Sequence, residues 1–315
     1  MLVLDVAQTR AALPWDGLVR ALGEMFAKGC VMPVRHHHDV EVPGEADATL
    51  LIMPAWQPGA YIGVKMVSVF PGNQTRALPA IHGSYLLSSA KTGELLAILD
   101  GGELTARRTA AASALAARHL AREDAGRLLM VGTGRLSANV IEAHASVRPI
   151  RDVAIWGRDP KKAEATAKEL DLKGVAVSVA MDLEAAAREA DIVSCATLSS
   201  EPLIRGDWLK PGAHLDLIGA FKPSMRESDD RAAARASIFV DTRDGALSEG
   251  GDIVQPLRAG VITEASIRAD LFELARGTHP GRTTPDEITL FKSVGAALED
   301  LAGAVLAFEA YRGKA

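Results

Sequence analysis

The chain has 315 residues, of which 48% are hydrophobic and 24% charged, and its formal net charge is −5. This composition is typical of a folded protein with room for two domains, and the acidic balance excludes a general nucleic-acid binder. No apolar run approaches the roughly 20 residues of a membrane helix, and the N-terminus lacks the basic segment of a secretion signal. Cys30 and Cys195 lie far apart in the sequence and favour a reducing compartment. We therefore expect a cytoplasmic protein that binds neither nucleic acid nor a membrane.

The first part of the chain, residues 1–124, mixes short strands with helices. Residues 16–29 place four apolar side chains at helical spacing and predict an amphipathic helix. These four residues are Leu18, Leu22, Met25 and Phe26. Residues 60–70 are rich in β-branched side chains and predict a strand, which is followed by a hairpin that turns near residues 91–93. A long alanine-rich helix then begins near Glu103.

From Leu128 onward, strand-like and helix-like segments alternate. The predicted strands are residues 128–132, 152–157, 174–180, 191–197, 214–220 and 237–241. Such alternation implies parallel strands joined by right-handed crossovers, which is a doubly wound α/β sheet over residues 125–290. Residues 288–311 predict one long helix with no strand after it. The pattern alone leaves open whether this helix closes the sheet domain or returns to the first domain.

A glycine-rich turn links the first of these strands to its helix. Residues 132–137 read GTGRLS and fit the pattern G-x-G-x-x-small in the strand–turn–helix context that the motif needs. Gly132 permits the tight turn, Gly134 lets the backbone approach a pyrophosphate, and Ser137 is small enough for helix–strand packing. The amides at the start of the helix then face the phosphate charge. The turn therefore predicts a dinucleotide-binding site.

The end of the second strand indicates which dinucleotide binds. NAD-binding proteins usually carry an acid there for the ribose 2′-hydroxyl, but this chain has Gly157 followed by Arg158. Asp159 is the nearest acid, and the proline after it favours a helix N-cap. Arg158 can form charge-assisted hydrogen bonds to a 2′-phosphate, with Lys161 or Lys162 close by. We predict a preference for NADPH, with NADH as the alternative if Arg158 is only a solvated surface charge.

Three basic residues of the first part are candidates for binding an anion. Lys65 lies in an apolar predicted strand and shares a face with Gly63 and Val67, which is an unusual place for a solvated lysine. Arg35 and Arg108 suit a bidentate carboxylate clamp. Arg108 also lies near the predicted start of the long helix, where the free amides favour an anion.

The histidines at 36–38 invite a metal interpretation. Neighbouring residues of a strand point to opposite faces, so the three side chains cannot all face one ion. No acidic or cysteine partner stands at a recognisable metal spacing. We predict no metal site.

Several longer segments, spread in order over nearly the whole chain, resemble those of the ornithine cyclodeaminase/μ-crystallin family. The most specific is DGGELTARRTAAASALA, which contains Arg108. The others are MPVRHHH, GVKMVSVFPGN, GTGRLSANVIEAH, SSEPLI, KPGAHLDLIGAFKPSMRE and TLFKSVGAALED. The resemblance implies a Rossmann-type dinucleotide domain, residues 125–290, inserted into an α/β substrate-binding and dimerisation domain. That second domain is implied to combine residues 1–124 with a returning C-terminal helix, residues 291–315, and to pair with a second copy in a homodimer.

The resemblance also implies roles for individual residues. Arg35, Lys65 and Arg108 match the positions around the substrate carboxylate and the C=N bond, with Lys65 and Arg108 in the catalytic role. His82 matches a histidine near the nicotinamide and the substrate. The glycine turn and the resemblance together predict these cofactor contacts: His82, Gly132, Thr133, Gly134, Arg135, Leu136, Ser137, Gly157, Arg158, Asp159, Lys162, Thr197, Leu198, Ile218 and Ser293.

One departure from the family pattern bears on the reaction. The cyclodeaminases carry an aspartate in the loop after the fifth strand, where this chain has Phe221, which cannot transfer a proton. The segment GAFKPSMRE resembles instead the family's reductases of Δ1-pyrroline-2-carboxylate and Δ1-piperideine-2-carboxylate. We therefore predict reduction of a cyclic ketimine carboxylate to L-proline or L-pipecolate, by hydride transfer to the C=N carbon. The alternatives are an ornithine cyclodeaminase, an alanine or N-methylalanine dehydrogenase, and a non-enzymatic NADPH- or ligand-binding protein like μ-crystallin.

Overall fold

The computed structural model of the chain describes residues 1–76 and 78–312. The chain divides into two compact units. The first is Met1–Arg108 with the C-terminal segment from Ala297, and the second is Thr109–Ala296. The first boundary, between Arg108 and Thr109, falls inside a continuous helix, and no feature of the sequence marks this boundary. The predicted domain bounds lie instead at residues 124 and 290. The roles predicted for these segments stay predictions.

A six-stranded sheet forms the centre of the first unit. The elements are β1 (Leu2–Leu4), α1 (Val6–Ala12), α2 (Trp15–Lys28), β2 (His36–Val40), β3 (Ala48–Gln57), β4 (Tyr61–Val69), β5 (Ile81–Ser89), β6 (Leu95–Asp100) and α3 (Gly101–Leu120). The strand order is β1-β6-β5-β4-β3-β2, with β1 parallel to β6 and the other pairs antiparallel. The predicted amphipathic helix, strand and hairpin are confirmed as α2, β4 and the β5–β6 pair, and the four predicted apolar residues of α2 are buried.

The second unit is built on an eight-stranded sheet. Its elements are β7 (Arg127–Val131), α4 (Ser137–Val147), β8 (Asp152–Trp156), α5 (Pro160–Glu169), β9 (Ala176–Val179), α6 (Leu183–Glu189), β10 (Ile192–Cys195), β11 (His214–Leu217), α7 (Asp230–Arg235), β12 (Ser237–Val240), α8 (Arg243–Glu249), α9 (Gly251–Arg258), β13 (Ile267–Asp270), α10 (Leu271–Arg276) and β14 (Thr289–Lys292). The strands pair in parallel in the order β13-β12-β14-β11-β10-β7-β8-β9. This confirms the predicted doubly wound, Rossmann-type sheet. The order reverses between β7 and β10, whose carboxyl ends border the crevice in which such sheets bind ligands.

The prediction for the end of the chain is partly wrong. Residues 289–292 form the strand β14, and the final helix, α11 (Ala297–Arg312), begins after Gly295, which has a φ of 83°. A short apolar run fits a buried strand and a buried helix equally well, and here pairing with β11 and β12 on both sides selects the strand. α11 packs against α2, β3 and β4, so the final helix returns to the first unit.

No helix within residues 1–76 and 78–312 combines the length and apolar character needed to cross a bilayer. The His, Cys, Asp and Glu side chains of these residues form no group of three that could hold a metal ion. The three histidines lie on β2, an exposed edge strand, where the rings of His36 and His38 stack with centroids 6.3 Å apart.

Candidate functional site

Lys65 lies in the buried interior of the first unit. Alternation along β4 places it on the same face as Gly63, beside Tyr85 of β5, and its side chain is only 3% exposed. Its Nζ lies 2.7 Å from Oδ2 of Asp300 on α11. Burying an ammonium group is costly without a counter-charge, so Asp300 explains how a lysine can occupy this interior position.

Arg108 reaches the same acid from α3. Its Nε donates to Oδ1 of Asp300 at 3.0 Å, and its Nη1 donates to Oε2 of Glu299 at 2.6 Å. We call Lys65, Arg108, Glu299 and Asp300 the charged cluster, and all four side chains are more than nine-tenths buried. The sequence predicts the two cations but assigns no role to the two acids. Their one sequence feature is that they stand side by side in a helix whose other residues are apolar as far as Phe308.

The position of Arg108 corrects one expectation. α3 begins at Gly101, so Arg108 lies about two turns inside the helix and beyond the reach of the free amides of its first turn. Two glycines start this helix although glycine is a poor helix former, which is why the sequence places the start later. An anion at Arg108 would therefore be held by side chains and not by the helix terminus.

Burial and pairing act in opposite directions on the charge of the cluster's cations. Burial lowers the pKa of Lys65 to about 8, although the neighbouring Asp300 opposes this shift. Burial also opposes the charge of Arg108, but Asp300 and Glu299 outweigh it and hold the pKa of Arg108 above its usual value. Arg108 is thus permanently charged, whereas the charge of Lys65 changes near physiological pH.

The structure places the other two predicted substrate residues differently. Arg35 precedes β2, and continuing the β2–β3 register aligns it with Met53, the partner of Lys65. Its backbone is thus roughly 10 Å from that of Lys65, two strands away, and its side chain is partly exposed. His82 lies on β5, pairs with Ser68 of β4 and is exposed on the sheet face opposite to Lys65. Within the first unit, His82 is therefore not brought together with the charged cluster.

The glycine turn of the second unit has the geometry that a phosphate-binding turn needs. Gly132 has a φ of 121°, and a Cβ there would lie 2.7 Å from the carbonyl oxygen of Ala196, so only glycine fits. The Oγ of Ser137 donates to the carbonyl oxygen of Gly132 at 2.9 Å and ties the turn to α4. A Cβ at Gly134 would meet no atom within 4 Å, so the backbone there is open to a ligand. Arg135 and Leu136 complete the turn.

The end of β8 explains why no acid stands at position 157. A Cβ at Gly157 would lie 2.6 Å from Cγ2 of Thr133 in the glycine turn, so a carboxylate side chain cannot be accommodated without movement. Asp159 accepts a hydrogen bond from the amide of Lys161 at 3.0 Å, which confirms its prediction as the N-cap of α5. Arg158 and Lys162 are exposed beside this cap.

The remaining predicted cofactor residues follow the carboxyl ends of neighbouring strands. Thr197 and Leu198 follow β10, Ile218 follows β11, and Ser293 follows β14. Leu198 is 77% exposed, which is unusual for a leucine, whereas Ile218 is buried. The buried Oγ of Ser293 has no hydrogen-bond partner within the described ranges. An orphaned hydroxyl, an open glycine turn and an exposed leucine at one sheet edge fit a bound dinucleotide.

Glu227 is a residue of this edge that the sequence analysis does not assign. Its Oε1 accepts from the amide and the hydroxyl of Thr197 at 2.6 and 2.7 Å, and its Oε2 accepts from the amide of Gly219 at 2.7 Å. It thereby joins the loops after β10 and β11. Burial raises the pKa of Glu227 to about 7, although Lys292 opposes the shift. In the sequence it is one acid in a polar loop, indistinguishable from a solvated one.

The fold and these two sites define a Rossmann-type dinucleotide-binding protein with a buried charged cluster in its other unit. Residues 8–315 match the profile of the ornithine cyclodeaminase/mu-crystallin family, and the chain belongs to this family.

Three known proteins illustrate the similarity. The Δ1-pyrroline-2-carboxylate reductase of Paracoccus denitrificans is 40% identical over 299 residues, which cover 95% of this chain and 93% of that protein. The structure of Thermococcus litoralis Δ1-pyrroline-2-carboxylate reductase in complex with NADH and L-proline matches with a TM-score of 0.90 at 33% identity, covering 100% of this chain and 98% of that one. An archaeal alanine dehydrogenase dimer with bound NAD matches with a TM-score of 0.90 at 30% identity, covering 100% and 97%.

Proposed function

We propose that this protein reduces a cyclic ketimine carboxylate, Δ1-pyrroline-2-carboxylate or Δ1-piperideine-2-carboxylate, to L-proline or L-pipecolate. The observation that carries the proposal is the charged cluster, which holds Lys65 and Arg108 in the interior of the first unit. The relatives of this chain include proteins named Δ1-pyrroline-2-carboxylate reductase. Phe221 supports reduction over cyclodeamination, because it offers no group that could transfer a proton.

The chain's own residues would divide the work between binding and orientation. Arg108 presents a planar guanidinium suited to a carboxylate, and Lys65 adds a point charge. Arg35 adds a third positive charge from the same sheet. Because the carboxylate is attached to the carbon that is reduced, holding it fixes the face that this carbon presents. When bound at the glycine turn, the reduced nicotinamide cofactor supplies the hydride.

NADPH is the proposed preferred cofactor. Arg158 and Lys162 stand beside the end of β8, and Gly157 leaves no carboxylate there to repel a 2′-phosphate. The Thermococcus and archaeal relatives contain NADH and NAD, so the preference is a proposal for this chain alone.

A direct assay tests the function. Mixing the protein with NADPH and either cyclic ketimine should decrease the absorbance of the reduced nicotinamide. No turnover with either the five-membered or the six-membered ketimine would overturn the proposal. Ammonia release from ornithine with catalytic NAD would instead support a cyclodeaminase, and reduction of pyruvate with ammonia or methylamine would support an alanine or N-methylalanine dehydrogenase. Tight NADPH binding with no reduction of any imine would support a binding protein.

A homodimer is also proposed. The sheet face that carries Val3 and Met66 leaves these side chains 62% and 45% exposed, and the archaeal relative is described as a dimer. Exposed apolar side chains on one sheet face favour burial against a second copy. Met66→Glu should shift the sedimentation coefficient from dimer to monomer, whereas an unchanged dimer would place the interface elsewhere.

A further inference from the structure

Asp300 contacts both cations of the charged cluster, one with each carboxylate oxygen. Oδ2 lies 2.7 Å from Nζ of Lys65, and Oδ1 accepts from Nε of Arg108 at 3.0 Å. The acid thereby connects β4 and α3 through α11. Its neighbour Glu299 also contacts Arg108, at 2.6 Å.

We propose that Asp300 is a positioning residue for substrate binding, which bridges Lys65 and Arg108, fixes their spacing and supplies the counter-charge that lets Lys65 stay an ammonium ion while buried. The inference rests on the proposed function, because it takes the substrate carboxylate to bind at these two cations. Nothing in the sequence resemblance assigns this role to Asp300.

The reason is electrostatic. Two cations in a buried cluster repel each other strongly, and an acid between them is what allows both to remain charged. The groups that face Lys65 are Asp300 and Glu299 of α11, Arg108 of α3 and Tyr85 of β5. Burial raises the pKa of Tyr85 well above its usual value, so Tyr85 contributes no charge at neutral pH. The charge of Lys65 therefore depends above all on Asp300.

Asp300→Asn should move the pH dependence of substrate-carboxylate binding to lower pH. The amide keeps the shape of the side chain but removes the counter-charge, so Lys65 should lose its proton at lower pH. The probe is L-proline, titrated calorimetrically into the NADH-loaded enzyme between pH 6 and 9, where its carboxylate stays ionised. Wild-type affinity should begin to fall near pH 8, the pKa of Lys65. In the variant this fall should start at least about one pH unit lower, which gives roughly fivefold or more weaker binding at pH 8.

Recovery at low pH distinguishes positioning from a general structural defect. At pH 6 the Asp300→Asn variant should bind L-proline nearly as well as wild type, because Lys65 is protonated again. Asp300→Glu should keep the fall near pH 8, and Glu299→Gln should move it to lower pH by less than Asp300→Asn does, because Glu299 raises the pKa of Lys65 less than Asp300 does. Glu103→Gln is the matched control, since Glu103 is a buried acid of the same unit that pairs with Arg10.

Several results would overturn the inference. Equal loss of affinity at every pH would mean that Asp300 is structural, and no loss would mean that it does not support the cations. If Asp300→Asn does not fold, Asp300→Glu and Lys65→Arg carry the test. An L-proline affinity that falls at a different pH in Asp300→Glu would contradict the proposal. So would an affinity that still falls near pH 8 in Lys65→Arg. A wild-type enzyme that neither reduces the ketimine nor binds L-proline would instead count against the proposed function.

Discussion

The buried charges of the charged cluster in the first unit pair with one another, whereas two buried carboxylates at the sheet edge of the second unit, Glu227 and Asp241, hold backbone amides. In the charged cluster, Glu299 and Asp300 face Lys65 and Arg108. At the sheet edge, Glu227 accepts from the amides of Thr197 and Gly219. We propose that the first arrangement sets the charge available to a ligand and that the second sets the shape of the loops around a cofactor.

A second carboxylate repeats the pattern of the sheet edge. Asp241, which follows β12, accepts from the amides of Val294 and Gly295 at 2.7 Å each and from that of Thr242 at 2.6 Å. These amides belong to the loops after β12 and β14.

We expect substitutions at the charged cluster of the first unit to alter imino acid binding and to leave cofactor binding nearly intact. Substitutions at the sheet edge of the second unit should have the opposite effect.

The largest effect is expected at Arg108. Arg108→Ala removes a charge-assisted carboxylate contact and should lower kcat/KM for the ketimine by roughly a hundredfold or more. It also removes the arginine partner of Glu299 and of Asp300 Oδ1 in the interior, where Asp300 keeps only Lys65, so the free energy of unfolding should fall by about 3–5 kcal/mol. Steady-state kinetics and denaturant titration measure the two effects.

Arg108→Lys separates activity from stability. A lysine restores one positive charge but not the planar fork, so stability should recover more than kcat/KM does. The dissociation constant of NADPH should stay close to wild type in both variants. A variant that loses NADPH binding while retaining affinity for L-proline would contradict the role assigned to Arg108.

Arg158 should show the converse behaviour. Loss of its hydrogen bonds to a 2′-phosphate corresponds to about 1.5–3 kcal/mol, so Arg158→Ala should raise the dissociation constant of NADPH roughly ten- to a hundredfold. NADH and L-proline should bind as before. Arg127→Ala is the control, since Arg127 is an exposed arginine at the amino end of β7. Equal losses for NADPH and NADH would mean that Arg158 does not read the phosphate.

Glu227 should have the smallest effect of the three. Glu227→Gln keeps the size of the side chain but replaces one acceptor oxygen by an NH₂ group, so one loop amide loses its partner. The dissociation constant of NADH should rise about tenfold, which corresponds to one charge-assisted hydrogen bond. Glu189→Gln, at an exposed acid of α6, provides the control.

The pH dependence sharpens this test. Glu227 accepts from both loops when ionised, and burial raises its pKa to about 7 against the opposing effect of Lys292, with Asp252 raising it further. NADH affinity of the wild type should therefore weaken as pH falls below about 7, because the protonated acid has lost an acceptor. Fluorescence titration of NADH from pH 5.5 to 8.5 should show this fall in wild type and not in Glu227→Gln. The same fall in both proteins would assign it to another group.

Local pattern was sufficient for much of the molecule. Helical spacing of apolar residues predicts α2, alternation of strands and helices predicts the doubly wound sheet, and the GTGRLS turn predicts the dinucleotide site. Each of these features is written in residues close together in the chain, and each follows from backbone geometry or from burial of one face. The N-cap at Asp159 was predictable for the same reason.

Tertiary structure decided the features that depend on distant residues. Residues 289–292 become a strand because β11 and β12 pair with them on both sides. Asp300 becomes the partner of Lys65 although 235 positions separate their residue numbers, and Glu227 becomes an amide acceptor because two loops converge on it. A carboxylate in the sequence has the same chemistry whether it is solvated or buried. Only the fold determines whether water, a cation or a backbone amide satisfies its charge.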